Sequence, residues 1–92
     1  MKPEAGEILA LQALAWLLAQ DELRGVFMGS TGLSEDDLLT RKTDPEILLA
    51  VLDFLTMDDA WVIDFCNAHG HAYTDPMAAR QSLPGGEVVH WT

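Results

Sequence analysis

The sequence predicts an all-α protein, a compact bundle of five or six short helices. Leucine and alanine dominate the apolar residues while aromatic residues make up only 8% of the chain, a composition typical of helices rather than sheets. Apart from the pair Val88-Val89, no segment alternates apolar and polar side chains over the length of a strand, so we expect no sheet. The third observation is an internal repeat.

The repeat relates two parts of the chain at an offset of 38 residues, without a gap. Residues 9–32 align with residues 47–70, and six pairs are identical: Leu11/Leu49, Leu14/Leu52, Leu17/Leu55, Asp21/Asp59, Phe27/Phe65 and Gly32/Gly70. Two further pairs keep apolar or aromatic character: Trp16/Phe54 and Leu23/Trp61. The repeat predicts two helix–helix units related by a pseudo-two-fold axis, with the first helices of both units packed together at the centre.

Three helices are expected in the first half. Pro3 suits the first turn of a helix that ends near Ala19. Its apolar residues cover most of its circumference, as in a central helix; one stripe contains Ile8, Leu11, Ala15 and Leu18, and a second contains Leu14 and Leu17. Asp21 is expected to cap a second helix through Met28, which residues 29–32 terminate. A hydroxyl followed by a carboxylate three residues later predicts a capping box that opens a short third helix, at Ser34-Glu35-Asp36-Asp37.

Three more helices follow in the second half. The pair Asp44-Pro45 opens the fourth, because a capping residue followed by proline is favoured at a helix start. Asp58 or Asp59 caps the fifth helix, and Gly70 ends it in a left-handed conformation. The last helix begins at Asp75-Pro76, and the next glycines and proline break it: Pro84-Gly85-Gly86.

Chain length and the C-terminal segment bear on domain organisation. A chain of 92 residues fits one core, so we expect a single helical domain over residues 1–83. Residues 84–92 form an apolar-aromatic tail rather than a polar coil. We expect the apolar ring of Trp91 to be buried, either against the bundle or against a partner. Trp91 is therefore a candidate interface residue.

The formal charge of −10, from 15 acidic and 5 basic residues, argues against nucleic-acid binding. Such binding needs clustered lysine and arginine, and Arg41-Lys42 is the only basic pair. Most acidic residues fall in the first turn of a predicted helix, where a carboxylate binds free N–H groups. The acidity therefore needs no acidic recognition surface to explain it.

Membrane insertion and secretion are not expected either. The longest apolar stretch, from Ile8 to Ala19, is shorter than the roughly 20 residues that span a bilayer. Acidic residues precede it and no cleavage site follows, so it does not resemble a signal peptide. A single cysteine cannot form an internal disulfide, which fits a reducing compartment. We expect a cytoplasmic protein.

One cluster contains potential metal ligands: Cys66, His69 and His71, near Asp64 and Asp75. Zinc needs four such groups converging at about 2.0–2.3 Å, and the chain has neither a second cysteine nor an HExxH motif. A nucleophilic pair of Cys66 and His69 would need an oxyanion-binding turn, which the sequence lacks. A buried core cysteine beside helix-ending histidines is the favoured interpretation. We therefore assign no catalytic, metal or cofactor residue, and these three remain the only candidates.

Caps and core positions between Ala13 and about Arg80 carry a family resemblance: Ala15-Trp16-Leu17, Asp21-Glu22-Leu23, Phe27, Thr31-Gly32-Leu33, Glu35-Asp36-Asp37-Leu38, Val51-Leu52-Asp53-Phe54-Leu55, Asp59, Phe65 and Gly70. In these residues the chain resembles a family of small bacterial all-helical proteins known as a domain of unknown function. The resemblance implies an all-helical fold and brings no activity, cofactor or site residue.

These observations favour a non-enzymatic, acidic protein-interaction module whose partner is another protein or a second copy of the chain. Two helices that are apolar on nearly all sides leave more apolar surface than so short a chain can bury, and exposed patches of that kind mark interfaces. The alternative is a small metal- or thiol-dependent enzyme using Cys66, His69 and His71. That enzyme would need a deep polar pocket lined by titratable groups with perturbed pKa values.

Overall fold

The computed structural model describes residues 1–86, which form six α-helices. Their bounds are α1 Pro3–Leu18, α2 Asp21–Thr31, α3 Glu35–Thr40, α4 Pro45–Leu55, α5 Asp59–His69 and α6 Asp75–Ser82. No strand occurs in residues 1–86, so the predicted all-α class and helix number are confirmed. The predictions for Trp91 and for most of the tail lie outside the described residues.

Capping side chains begin three of the helices where the sequence predicts them. The hydroxyl of Ser34 accepts a hydrogen bond from the N–H of Asp37 at 3.1 Å, and the carboxylate of Asp37 accepts one from the N–H of Ser34 at 3.0 Å. This second bond stabilises the ionised carboxylate and thereby lowers the pKa of Asp37. Asp44 and Asp58 cap α4 and α5, each accepting from the N–H two residues later, at 3.0 and 2.8 Å.

Both ends of α2 differ from the prediction. Its N-cap is Gln20, so Asp21 lies in the first turn and does not cap the helix. Gly29 does not end α2, which continues to Thr31 because nothing in this exposed segment opposes another helical turn. The chain leaves the helix only at Gly32, whose φ of 73° favours glycine.

The central position predicted for α1 is confirmed, and α4 packs against it as expected. The buried face of α1 consists of Gly6, Leu9, Ala10, Ala13, Leu14 and Leu17. Ile8 and Ala15 are exposed, while Leu11 and Leu18 are half-buried. The stripe of Ile8, Leu11, Ala15 and Leu18 therefore faces outward, whereas Leu14 and Leu17 of the other stripe enter the core.

The most extensive partner of α1 is α6, which the sequence does not indicate. The two helices approach closely at Gly6, where an added Cβ would lie 3.0 Å from the carbonyl oxygen of Ala79 and would also meet the hydroxyl of Ser82. Glycine at this position lets the two backbones touch. Because α6 also packs on α4, it joins the first helices of both halves.

Two aromatic contacts cross between the halves and follow the offset of 38 residues. Trp16 meets Phe65 edge-on, with ring centroids 6.0 Å apart and an interplanar angle of 73°. Phe54 meets Phe27 in the same way, at 5.3 Å and 78°. Exchanging each residue for its repeat partner converts one contact into the other, as a two-fold relation requires. These contacts agree with the duplication, which itself stays a prediction.

One hydrogen bond beyond the predicted repeat follows the same offset of 38 residues. The N–H of Ala72 donates to the carboxylate of Asp75 at 3.1 Å, as the N–H of Ser34 donates to Asp37 at 3.0 Å. The third helices, α3 and α6, also differ most between the halves. α3 has six residues and α6 has eight, and within the described residues α3 has no contact as extensive as those of α6.

Candidate functional site

The three residues proposed as ligands or nucleophile lie together at the end of α5 and just beyond it. Cys66 is buried, and its thiol donates to the carbonyl oxygen of Ala72 at 3.4 Å. The rings of His69 and His71 pack against Phe65, with centroids 5.0 and 5.6 Å away. Within residues 1–86 no group of three or more His, Cys, Asp or Glu side chains converges in a way that could hold a metal ion.

His71 connects the α5–α6 loop to α1. Its Nε2 lies 2.6 Å from Oε1 of Gln12, and its Nδ1 lies 3.9 Å from the carboxylate of Asp75. Asp75 also accepts a hydrogen bond from the N–H of Ala72, so it fixes the loop from which His71 projects. Gln12 occupies the position on Nε2 that a nucleophile or substrate would need. The contacts of the His71 ring therefore hold the α5–α6 loop against α1.

The surroundings of Cys66 oppose thiolate chemistry. Burial raises the pKa of the Cys66 thiol, and the negative charge of Asp75 raises it further. A nucleophilic cysteine needs the opposite, a thiol whose pKa is lowered by a neighbouring cation or a helix N-terminus. In this structure Cys66 packs as a core side chain.

We expect the Cys66 thiol to be protected from modification while the protein is folded. An aromatic disulfide reagent should react with it about 100-fold more slowly, or slower still, in buffer than in concentrated urea, because reaction needs local opening. The release of the coloured thiolate measures both rates. The control carries Cys66→Ala together with Asn67→Cys, which moves the thiol to an exposed position and should react quickly in both solvents. Rapid stoichiometric labelling of folded wild-type protein would contradict this prediction.

An open apolar groove lies between α1 and α3, with a volume of about 270 Å³. Seven residues line it: Leu11, Leu14, Ala15 and Leu18 from α1, Leu38 and Leu39 from α3, and Lys42 from the following loop. We call this surface the α1/α3 groove. Leu38 closes its floor, whereas Leu39 is 64% exposed at its rim. The groove is thus formed by the outward stripe of α1 together with one edge of α3.

Lys42 is the only charged residue of the groove lining. Within residues 1–86 no carboxylate forms an ion pair with it. Its neighbour Arg41 is engaged with Asp44 at 2.8 Å. The Lys42 ammonium is therefore available at the edge of an apolar surface.

Comparison with known proteins assigns the chain to a family. A family model described as "Protein of unknown function (DUF3572)" matches residues 3–86. The chain belongs to this family. The match includes all six helices and confirms the resemblance inferred from caps and core positions. Comparisons with curated proteins and with solved structures gave no match.

Among the helices of residues 1–86, none has both the length and the apolar character that a bilayer crossing demands.

In the second half, residues related to the α1/α3 groove by the offset of 38 make contacts within the molecule, and we call this part of the surface the closed half. Arg80 lies 38 positions after Lys42 and forms an ion pair with Asp53 of α4. Nη1 of Arg80 also donates to the carbonyl oxygen of Gly86 at 3.5 Å. On α1 the position of Asp53 is taken by the uncharged Ala15. Each half therefore has a basic side chain at this position, Lys42 or Arg80. In the part of the chain that the structure describes, only Arg80 has an acidic partner on the neighbouring helix, namely Asp53.

Sequence reasoning missed the groove because it stopped the repeat at residue 70. Leu39 and Lys42 lie beyond residue 32, where the first copy of the predicted repeat ends. The predicted repeat already pairs Ala15 with Asp53, and extending it by ten residues also pairs Lys42 with Arg80. The missing counter-charge was therefore visible in the sequence, although the open space beside it was not.

Proposed function

We propose that this protein is a non-enzymatic protein-interaction module that works in the cytoplasm and binds its partner in the α1/α3 groove. The observation that carries the proposal is the outward apolar stripe of α1, which forms an open groove with the exposed Leu39 instead of entering the core. Contiguous exposed apolar surface on a small protein marks an interaction site.

The size of the groove supports a protein partner rather than a small substrate. Small-molecule sites usually enclose about 300–1,000 Å³ and bury most of their ligand. The α1/α3 groove has about 270 Å³ and is open along one side. Such a space suits one large anchoring side chain, which is how a few residues supply most of the energy of an interface.

Charge and chemistry support the same choice. Three of the five basic residues already pair with carboxylates, namely Arg24, Arg41 and Arg80, and a phosphate-binding cluster is not expected from the remaining two lysines. The alternative enzyme gains no support from the buried Cys66 with its raised pKa. Because each copy carries a formal charge of −10, repulsion opposes self-association, and we propose a different protein as the partner.

Paired variants test this function. A tagged protein is purified from its native cells as wild type, as Leu39→Asp and as Ile63→Asp, and each pure protein is examined by light scattering. Both substitutions place a carboxylate on an exposed apolar position, at 64% and 41% exposure, but Ile63 lies on α5, away from the groove lining. We expect a stoichiometric partner with wild type and Ile63→Asp, and its loss with Leu39→Asp.

Retention of the same proteins by all three forms, or a monomer that retains none, would contradict the proposal. A dimer that dissociates only in Leu39→Asp would keep the interaction function and make a second copy the partner.

A further inference from the structure

We infer that the partner segment bound in the α1/α3 groove places a carboxylate on Lys42 and a large apolar side chain beside it. The inference rests on the proposed function and specifies the chemistry of the partner. It depends on the comparison between the open groove and the closed surface at the corresponding position of the second half.

The first step concerns charge. In the second half the cation Arg80 is neutralised by Asp53, which α4 supplies from within the same molecule. In the first half Lys42 lies 38 positions before Arg80, in the turn after α3 rather than within a helix, and α1 supplies Ala15 instead of a carboxylate. A partner carboxylate would take the place that the Asp53 side chain takes in the closed half.

The second step concerns the apolar surface. In the closed half the chain after α6 returns over α4, and an added Cβ on Gly86 would lie only 2.9 Å from Cδ2 of Leu49. Leu11, the counterpart of Leu49, lines the groove, and both leucines are half-buried. The loop after α3 cannot provide it, because Arg41 and Asp44 hold that loop in a tight turn into α4. A partner side chain would fill this open space.

The third step concerns the rest of the protein surface. The formal charge of −10 repels a partner segment that carries many carboxylates. The groove is therefore not expected to bind acidic segments as a class. A single carboxylate next to an apolar side chain avoids most of this repulsion. Its repulsion by distant acidic side chains is screened beyond about 8 Å at physiological salt, whereas its contact with Lys42 is direct. The chemistry that fits is one Asp, Glu or terminal carboxylate adjoining one large apolar side chain.

Two small probes of the same shape test this inference on the full-length protein. N-acetyl-tryptophan carries an apolar ring and a carboxylate, whereas N-acetyl-tryptophan amide lacks the charge. Titrations are followed by NMR of the leucine methyl groups. We expect the carboxylate probe to shift the methyl signals of Leu11, Leu18 and Leu39 and to bind about threefold more tightly than the amide, the ratio expected for an exposed ion pair.

Two substitutions separate the charge from the apolar contact. Lys42→Gln should abolish the preference for the carboxylate probe while both probes still shift the groove methyls. Ala15→Asp supplies the internal counter-charge present in the other half. It should also abolish the preference and raise Tm by about 1–5 °C, but only when Lys42 is present. The double variant Ala15→Asp/Lys42→Gln provides the comparison.

Equal affinity of the two probes for wild type, or shifts confined to leucines outside the groove, would overturn the inference. So would a Tm change for Ala15→Asp that is the same with and without Lys42. These failures can be distinguished from failure of the proposed function. If a partner depends on Leu39 but the probes show no preference for the carboxylate, the inference is wrong and the interaction function stands; if no partner depends on Leu39, the interaction function is wrong.

Discussion

Replacing Phe65 by alanine is expected to lower the free energy of unfolding by about 3–5 kcal/mol, the usual cost of deleting a fully buried phenylalanine ring. Phe65 is 0% exposed and packs against Trp16 of the other half. The rings of His69 and His71 lie on it as well. Its removal therefore leaves a cavity where both halves and the α5–α6 loop meet. Urea denaturation followed by circular dichroism measures the loss.

Two comparison variants make this prediction specific. Phe27→Ala removes the repeat counterpart, which is also fully buried and contacts Phe54, so it should cost a similar amount. Tyr73→Ala removes a ring that is 55% exposed and should change stability by no more than about 0.5 kcal/mol. If Phe65→Ala does not fold, Phe65→Leu should show a smaller loss of the same sign. A loss below about 1 kcal/mol for Phe65→Ala would show that this ring is not a core element.

Gly6→Leu is the second substitution with a large expected effect. The side chain would enter the contact between α1 and α6, where even a Cβ lies 3.0 Å from the carbonyl oxygen of Ala79 and 3.4 Å from its Cα. The helices must then separate, because a backbone carbonyl cannot rotate away as a flexible side chain can. We expect a loss of about 1–3 kcal/mol or more, as for other overpacked contacts, measured by thermal and urea denaturation.

The same substitution at another helical glycine should raise the free energy of unfolding instead of lowering it. Gly25 lies within α2, and an added Cβ there would meet no atom within 4 Å. Gly25→Leu should therefore stabilise the protein by up to about 1 kcal/mol, since leucine favours a helix far more than glycine does. Similar effects of the two substitutions would mean that Gly6 serves only as a helical residue and that α6 does not pack closely on α1.

The sequence predicts the helices well because the forces that begin and end them are local. The caps at Ser34, Asp44 and Asp58 and the glycine at Gly70 each act within a few residues. The same reasoning misplaced the end of α2, because Gly29 can either continue a helix or end one. Which outcome occurs depends on the turn that follows, where only Gly32 adopts a positive φ.

The packing partner of α1 and the candidate site could not be predicted in the same way. Contact between Gly6 and Ala79 joins residues far apart in the chain, and a glycine inside a helix does not indicate what it touches. The many apolar residues of α1 indicate that some apolar surface stays exposed in a monomer. They do not indicate which stripe of the helix remains outside the core. That depends on α6 covering α4 more completely than α3 covers α1, a difference that only the folded structure shows.

The central claim is that a partner protein lies in the α1/α3 groove, and site-specific photo-crosslinking in native cells tests it most directly. A photoreactive phenylalanine derivative replaces Leu39 in one strain and Ile63 in another, since both positions are exposed. We predict that position 39 forms one discrete crosslinked species with a partner protein, that position 63 does not, and that Ala15→Asp reduces the crosslink by competing for Lys42. Absence of a crosslink at position 39, or the same species from both positions, would contradict the claim.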